Sequence, residues 1–289
     1  MDSICVNARA KINLSLDVLG KREDGYHDVK MIMQSISLHD KVFLKLTDDK
    51  DIKISCDKRW VPSNSDNIAY KAAKILMDKF NLQKGLDIKI VKNIPVAAGL
   101  AGGSADAAAV LKGLNEMFSL DLKQEELMEI GKTIGADVPF CVKGGTMLAE
   151  GIGEVLTEIE PLKNVDIVLV KPKFSVSTPW VYKNLNLEKI ISRPDTDYII
   201  SLIEKRDLKN LGKEMVNVLE AVTIKKYEVI GEIKERLVKL GAFGSMMSGS
   251  GPTVFGIFEN RATAQKVYEE MSMDNRWDCF LTETFCEER

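Results

Sequence analysis

Residues 95–109 read PVAAGLAGGSADAAA. Gly99, Gly102 and Gly103 precede an Ala/Leu-rich run, AAAVLKGLNEMF, whose composition predicts a helix beginning near Ser104. Glycine lets a backbone approach a ligand closely and adopt positive φ. A helix N-terminus offers unpaired N–H groups and the positive end of a dipole. Loop and helix start together suit a bound phosphate. The same pattern also serves as a plain Gly-rich connection, and Ser104 also suits a simple N-cap. Two familiar phosphate loops do not fit. The one Gly-Lys-Thr run, Gly131–Thr133, has Glu126 where a P-loop needs its first glycine. The GLAGG spacing is not the GxGxxG of a dinucleotide fold.

Upstream, LDIKIVK at 86–92 reads as a strand, and PSNSDN as a turn into a helix at about 67–80. Residues 4–18 alternate strictly, with Ile4, Val6, Ala8, Ala10, Ile12, Leu14, Leu16 and Val18 on one parity. That predicts a long strand with one face in the core. Lys11 and Asn13 share the other, non-core face. GKREDGYHD is then a polar loop, and strands at 30–38, 41–47 and 51–55 suggest an antiparallel meander. A short helix at about 123–134 precedes GADVPFCVKGG.

Downstream, DIVLVKP is a buried-strand candidate. Helices follow at TPWVYKNL, at about 196–220 with a break, and at about 225–240. FGSMMSG and TVFGIF pair as strands, and a helix at about 261–272 and the strand CFLTETF close the chain. This order matches a split βαβ domain. The boundary falls near residue 160, in EIEPLKN, giving domains 1–160 and 161–289.

The 289 residues are 45% hydrophobic and 29% charged, the composition of a globular protein. No window approaches the ~20 apolar residues of a membrane span. MDSICVNARAK carries no secretory pattern, so the cytoplasm is the expected compartment. Net charge is −3 and no basic stripe is present, which argues against nucleic acid as a partner. Five widely spaced cysteines and two histidines, His27 and His39, argue against a disulfide framework, a zinc site or a Ser/His/Asp triad.

Three stretches, in order, resemble the motifs of the GHMP kinase superfamily. PVAAGLAGGSADAA is similar to its second motif and MSGSGPTVFGIF to its third. ARAKINLSLDVLGKREDGYHDVKMIMQSISLHD, residues 8–40, resembles one family within it, the 4-diphosphocytidyl-2-C-methyl-D-erythritol kinases of the non-mevalonate isoprenoid pathway. The one departure is Ala101, where relatives often carry Gly or Ser. The resemblance implies a two-domain α+β fold, with an N-terminal α/β domain of the ribosomal-protein type and a C-terminal split βαβ, ferredoxin-like domain. It implies a cytoplasmic, ATP-dependent phosphotransferase using Mg2+, acting on the 2-hydroxyl of a small cytidine diphospho-sugar-alcohol, as a monomer or weak homodimer.

Roles then follow by match. Asp137 in GADVPF corresponds to the family's catalytic carboxylate, and Lys11 to its catalytic lysine. A phosphoryl transfer needs a group that accepts or orients the acceptor's proton, and a neighbouring cation holds that group ionised. Pro95, Val96, Ala97, Ala98, Gly99, Leu100, Ala101, Gly102, Gly103, Ser104 and Ala105 match the nucleotide loop, and Asn67 a position near the adenine. Tyr26 and His27 match the pair that meets the cytidine. Asn13 matches the diphosphate or erythritol end, and Thr178 and Tyr182 complete the cytosine site. The Ser248–Thr253 turn shapes the pocket. Taken alone, these residues also suit ordinary surface, cap and core positions. Three rivals stay open: a homoserine- or mevalonate-type kinase, a nucleotide-binding regulator without catalysis, and an RNA-binding module.

Overall fold

The computed structural model describes residues 1–287. In chain order the elements are β1 (Ser3–Lys21), β2 (His27–Thr47), β3 (Ile52–Cys56), α1 (Ile68–Lys79), β4 (Gly85–Val91), α2 (Gly102–Met117), α3 (Gln124–Lys132), α4 (Val138–Lys143), β5 (Thr146–Glu150) and β6 (Val155–Glu158). There follow β7 (Asp166–Pro172), α5 (Thr178–Asn184), α6 (Thr196–Glu204), α7 (Leu208–Glu214), α8 (Glu220–Lys226), α9 (Val229–Lys239), β8 (Gly244–Met247), β9 (Val254–Phe258), α10 (Arg261–Ser272) and β10 (Trp277–Glu283). No described helix is long and apolar enough to cross a membrane. Contacts divide the chain into two compact units that interleave. The first holds Met1–Ala10, Leu38–Val96 and Ala101–Gly144; the second holds Lys11–Ser37, Ala97–Leu100 and the chain from Gly145 onward.

In the first unit β4 is the central strand. It pairs antiparallel with the end of β2, Lys41 opposite Val91 through Thr47 opposite Gly85, and parallel with β3. α1 packs against α2, and α3 and α2 pack against α4. Ala69, Ala72 and Ala73 of α1 and Ala105, Ala107, Ala108 and Ala109 of α2 are all buried. Small side chains let helices approach closely, and Leu76, Leu111, Leu114, Leu44 and Ile88 fill the remaining core.

This arrangement corrects the meander expected at 30–55. The strands expected at 30–38 and 41–47 are one strand, β2, and β4 inserts between it and β3. The polar pair His39-Asp40 looked like a break. Asp40 is instead fully buried and satisfied. Its Oδ1 accepts the Asn93 and Ile94 N–H groups at 2.6 and 2.8 Å, and its Oδ2 pairs with Lys92.

In the second unit the strand order is β10-β7-β9-β8, antiparallel throughout. With the chain order β7, helices, β8, β9, α10, β10, this is the expected split βαβ arrangement. α9 packs on β8 and β9, and α10 on β10 and β7. The early part of β2 pairs antiparallel with β5, and β5 with β6. α4, β5 and β6 had no signal in the sequence, because four- to six-residue elements are too short to show a period.

The reading of β1 as a strand with one solvent face is also corrected. From Ala10 to Val18 both faces are buried. Lys11 is 5% exposed, Asn13 and Ser15 are 0%, and Asp17 is 7%. Each polar residue finds a partner from its own unit. Ser15 Oγ accepts the Ile32 N–H at 3.2 Å, and Asp17 takes Arg193 at 2.5 Å.

Lys92 lies buried between Asp40 and Asp106, 2.8 Å from the latter. Burial works against the ammonium, but the two carboxylates more than offset it, and the Lys92 pKa rises. With one cation for two carboxylates, burial pushes the Asp106 carboxyl up to about 7. Its Oδ1 has no hydrogen-bond partner. The folded chain therefore holds a proton that an unfolded Asp, near 3.8, releases. Stability from this group is full below about pH 4 and is lost as pH rises toward 7. Urea unfolding across that window is expected to show stability falling with pH by up to about 1.4 kcal/mol per unit from this one proton. Asp106→Asn flattens that part of the curve. An unchanged slope in the variant would show that Asp106 carries no such proton.

Candidate active site

The Gly-rich segment is built on three left-handed residues at alternate positions: Ala97 at φ +51°, Gly99 at +78° and Ala101 at +56°. α2 starts at Gly102, with Ala101 in the N-cap place and no side-chain cap. The first helical bond is Ala105 N–H to Ala101 O at 2.9 Å, so the N–H groups of Gly102, Gly103 and Ser104 precede it. Ser104 was expected to open the helix. It stands third in it and caps nothing, because the turn at Ala101 already reverses the chain. No acidic residue lies in the first turn. Lys92 Nζ lies 3.2 Å from where a Cβ on Gly102 would stand, so a buried cation backs the helix start. Dipole and free N–H groups favour an anion there, while the Lys92 charge is already answered by Asp40 and Asp106.

Ala97–Leu100 belongs to the second unit, which pins it at three points. Gly99 O accepts the Ser248 hydroxyl at 2.9 Å, Ala98 O accepts the Thr253 N–H at 3.4 Å, and Leu100 O accepts the Lys11 N–H at 3.2 Å. Pro95 and Val96 lie on the first unit's side of the segment, half-buried and exposed.

Lys11 is the most telling side chain of the second unit. Its ammonium is buried and donates to Asn13 Oδ1 at 2.8 Å. Among the described residues no carboxylate of its own unit pairs with it, and it faces the Gly249 backbone. An ammonium has three donors, and burying one without a counter-ion is costly. Asn13 in turn points its amide at Met31 Sδ, 3.1 Å away.

Asp137, in the first unit, is half-buried at the N-cap of α4. Its side chain makes no capping bond, so local structure does not consume the carboxylate. Asn67 differs. Its Oδ1 accepts the Ala69 N–H at 2.9 Å and its Nδ2 donates to Pro62 O at 2.8 Å, so the amide is committed to capping α1.

In the second unit the expected substrate residues come together in pairs. The His27 and Tyr182 rings stand 5.1 Å apart, tilted by 38°. Burial lowers the His27 pKa, with nearby Lys21 adding to it, which favours the neutral ring. Thr178 Oγ bonds Ser250 Oγ at 2.6 Å, tying α5 to the second glycine turn. Tyr26 is 59% exposed, in a loop closed by the Arg22 N–H to Tyr26 O bond. Lys92, Asp40 and the Ser248 hydroxyl were not singled out from sequence. Lys92 and Ser248 are single polar residues just past strand ends and Asp40 lies inside β2, and only their burial marks them.

Comparison with known proteins agrees with this geometry. Residues 67–145 match the GHMP kinases N terminal domain and residues 199–274 the GHMP kinases C terminal domain. The chain is 61% identical, over 98% of its length and 100% of the relative's, to a 4-diphosphocytidyl-2-C-methyl-D-erythritol kinase of Acetivibrio thermocellus. It superposes on a crystal structure of 4-(cytidine 5'-diphospho)-2C-methyl-D-erythritol kinase with a TM-score of 0.85 at 28% identity, covering 98% of this chain and 100% of that one. A homoserine kinase from Cytophaga hutchinsonii shares the fold, with a TM-score of 0.76 at 19% identity over 98% and 95% of the two chains.

The two glycines of the segment should respond oppositely to a methyl group. At Gly99, with φ +78°, a Cβ would collide with the Ser248 carbonyl. At Gly103 it would meet only the Ile68 side chain, at 3.5 Å from Cδ1 and 3.8 Å from Cγ1. Gly99→Ala is expected to cost about 3 kcal/mol or more in urea unfolding, from backbone strain and collision. Gly103→Ala, inside a helix, should be neutral or stabilising by up to about 1 kcal/mol. Equal effects at both sites would contradict the described loop.

Proposed function

The chain belongs to the GHMP kinase family, among the 4-diphosphocytidyl-2-C-methyl-D-erythritol kinases, and on that premise we propose that it transfers the γ-phosphoryl group of ATP to the 2-hydroxyl of 4-diphosphocytidyl-2-C-methyl-D-erythritol. The product would feed non-mevalonate isoprenoid biosynthesis. Near-complete coverage at 61% identity supports the substrate. The observation that carries the phosphoryl-transfer chemistry is Lys11, a buried ammonium that among the described residues has one neutral acceptor and no carboxylate partner in its own unit. Such a cation awaits an anionic partner.

In this reading the backbone of Pro95–Ala105 cradles the phosphates of ATP. Asp137 accepts or orients the proton of the 2-hydroxyl as it attacks the γ-phosphorus. Lys11 stabilises the negative charge that develops on the transferred group. Mg2+ would neutralise the β- and γ-phosphate charge. No cluster of three His, Cys, Asp or Glu side chains suited to a metal occurs among the described residues. In this reading the ion is carried by the phosphates with one or two protein ligands, the Ser104 hydroxyl being the candidate. Tyr26 and Tyr182 offer faces for the cytosine, at about 1–3 kcal/mol per stacked base. His27 and Thr178 supply hydrogen bonds, and Asn13 reaches the diphosphate or erythritol end. Asn67 holds the backbone beside the adenine. Residues 1–160 form the ATP-binding and catalytic part, and 161–289 the substrate-binding part. The protein acts in the cytoplasm, as a monomer or weak homodimer, without nucleic acid or membrane.

Steady-state turnover with the cytidine substrate, homoserine and mevalonate tests this directly. The cytidine substrate alone is expected to support turnover, with free CMP competing against it. Asp137→Ala should lower kcat by about 10²–10⁴-fold, the range for a lost general base. Preference for another alcohol would keep the family and overturn the acceptor. ATP binding without turnover of any of them would favour a regulator.

A further inference from the structure

Asn217 lies between α7 and α8 and is 3% exposed. Its Nδ2 donates to two carbonyls, Met247 O and Gly249 O, each at 2.8 Å, and its Oδ1 accepts the Leu219 N–H at 3.0 Å. All its hydrogen-bonding capacity but one lone pair is used. Its neighbour Glu220 accepts the Met247 N–H at 2.8 Å and pairs with Lys234. Both sides of Met247 are thus held from this segment. The segment is itself clipped to β1, since Leu16 N–H donates to Val216 O at 2.9 Å and Val218 N–H to Leu16 O at 3.0 Å.

The turn that Asn217 fixes has two ends with different attachments. Ser248 donates to Gly99 O in the Gly-rich segment, and Ser250 bonds Thr178 at the start of α5. α5 buries only Val181, and the Thr178 bond joins the His27–Tyr182 ring contact and the Lys226 ammonium over the Trp180 ring in setting its place. We propose that Asn217 is a positioning residue for both ligands of the reaction. It fixes the 248–251 turn, whose Ser248 end sets the nucleotide loop and whose Ser250 end sets the helix that meets the cytidine. This rests on the phosphate and cytidine assignments above.

The test is calorimetric binding of two probes, adenylyl imidodiphosphate with Mg2+ and CMP, to the full chain. Asn217→Ala should weaken both by about fivefold to tenfold, the equivalent of about 1–1.4 kcal/mol for each ligand, as the turn loses its two buried hydrogen bonds to the Asn217 amide. Ser248→Ala should weaken the nucleotide alone, and Ser250→Ala CMP alone, each by about threefold to fivefold for one bond. Thr223→Ala removes a buried hydroxyl bond to Leu219 O inside α8. It should lower the melting temperature and leave both affinities within about twofold, inside the spread for sites that do not couple. A purely structural role for Asn217 predicts that it behaves like Thr223→Ala, and that result overturns the proposal. So does weakening of only one ligand by Asn217→Ala. If Asn217→Ala does not fold, the two serine variants decide, and crossed or absent effects overturn it. Wild-type protein that binds neither probe would sink the functional assignment itself, a different outcome from a wild type that binds both and a variant that matches it.

Discussion

Everything proposed for this protein depends on the closeness of Gly99 to the Ser248 carbonyl, an approach that leaves no room for a side chain. Two glycine turns far apart in sequence meet there, backbone to backbone. The Ser248 hydroxyl closes the contact on Gly99 O. The left-handed residues at 97, 99 and 101 then reverse the chain so that it enters α2 at Gly102 with its first N–H groups unpaired. An anion site made from backbone needs only that the backbone stay still, and this contact is what holds it.

Two buried lysines show how the same chemistry serves structure and function. Lys92, in the first unit, has two carboxylates around it and a raised pKa; its charge is answered within the fold. Lys11, in the second unit, is as deeply buried but among the described residues is given only the Asn13 amide. Burying a charge without its opposite destabilises a fold, so the imbalance at Lys11 points to chemistry rather than architecture.

Much of this was legible in the sequence, and the failures have definite causes. The strict alternation of residues 4–18 revealed β1. It could not reveal that Lys11, Asn13, Ser15 and Asp17 are buried, because Asn13, Ser15 and Asp17 find partners in Met31, Ile32 and Arg193, remote in sequence. His39-Asp40 imitated a turn because a buried Asp satisfied by Lys92 and two N–H groups looks like a solvated one. Ser104 imitated a cap, although Ala101 supplies the reversal. Asn67 shows the converse, a residue matched to a ligand whose amide is spent on α1. The interleaving of the two units was invisible because β1 and β2 are each long enough to serve both. The likeness of three motifs reached what periodicity could not: the His27–Tyr182 pair joins residues with no local signal for one another.

The central claim is that one phosphoryl group passes from ATP to one hydroxyl of a cytidine diphosphate alcohol. Phosphorus NMR of the reaction, with wild-type protein, ATP, Mg2+ and 4-diphosphocytidyl-2-C-methyl-D-erythritol, tests it most directly. The account predicts that the γ-phosphate signal disappears in step with a new phosphomonoester signal coupled to the methylerythritol unit at C2, the diphosphate signals of the acceptor remaining. Release of the γ-phosphate as inorganic phosphate, or a phosphomonoester at another carbon, would contradict it.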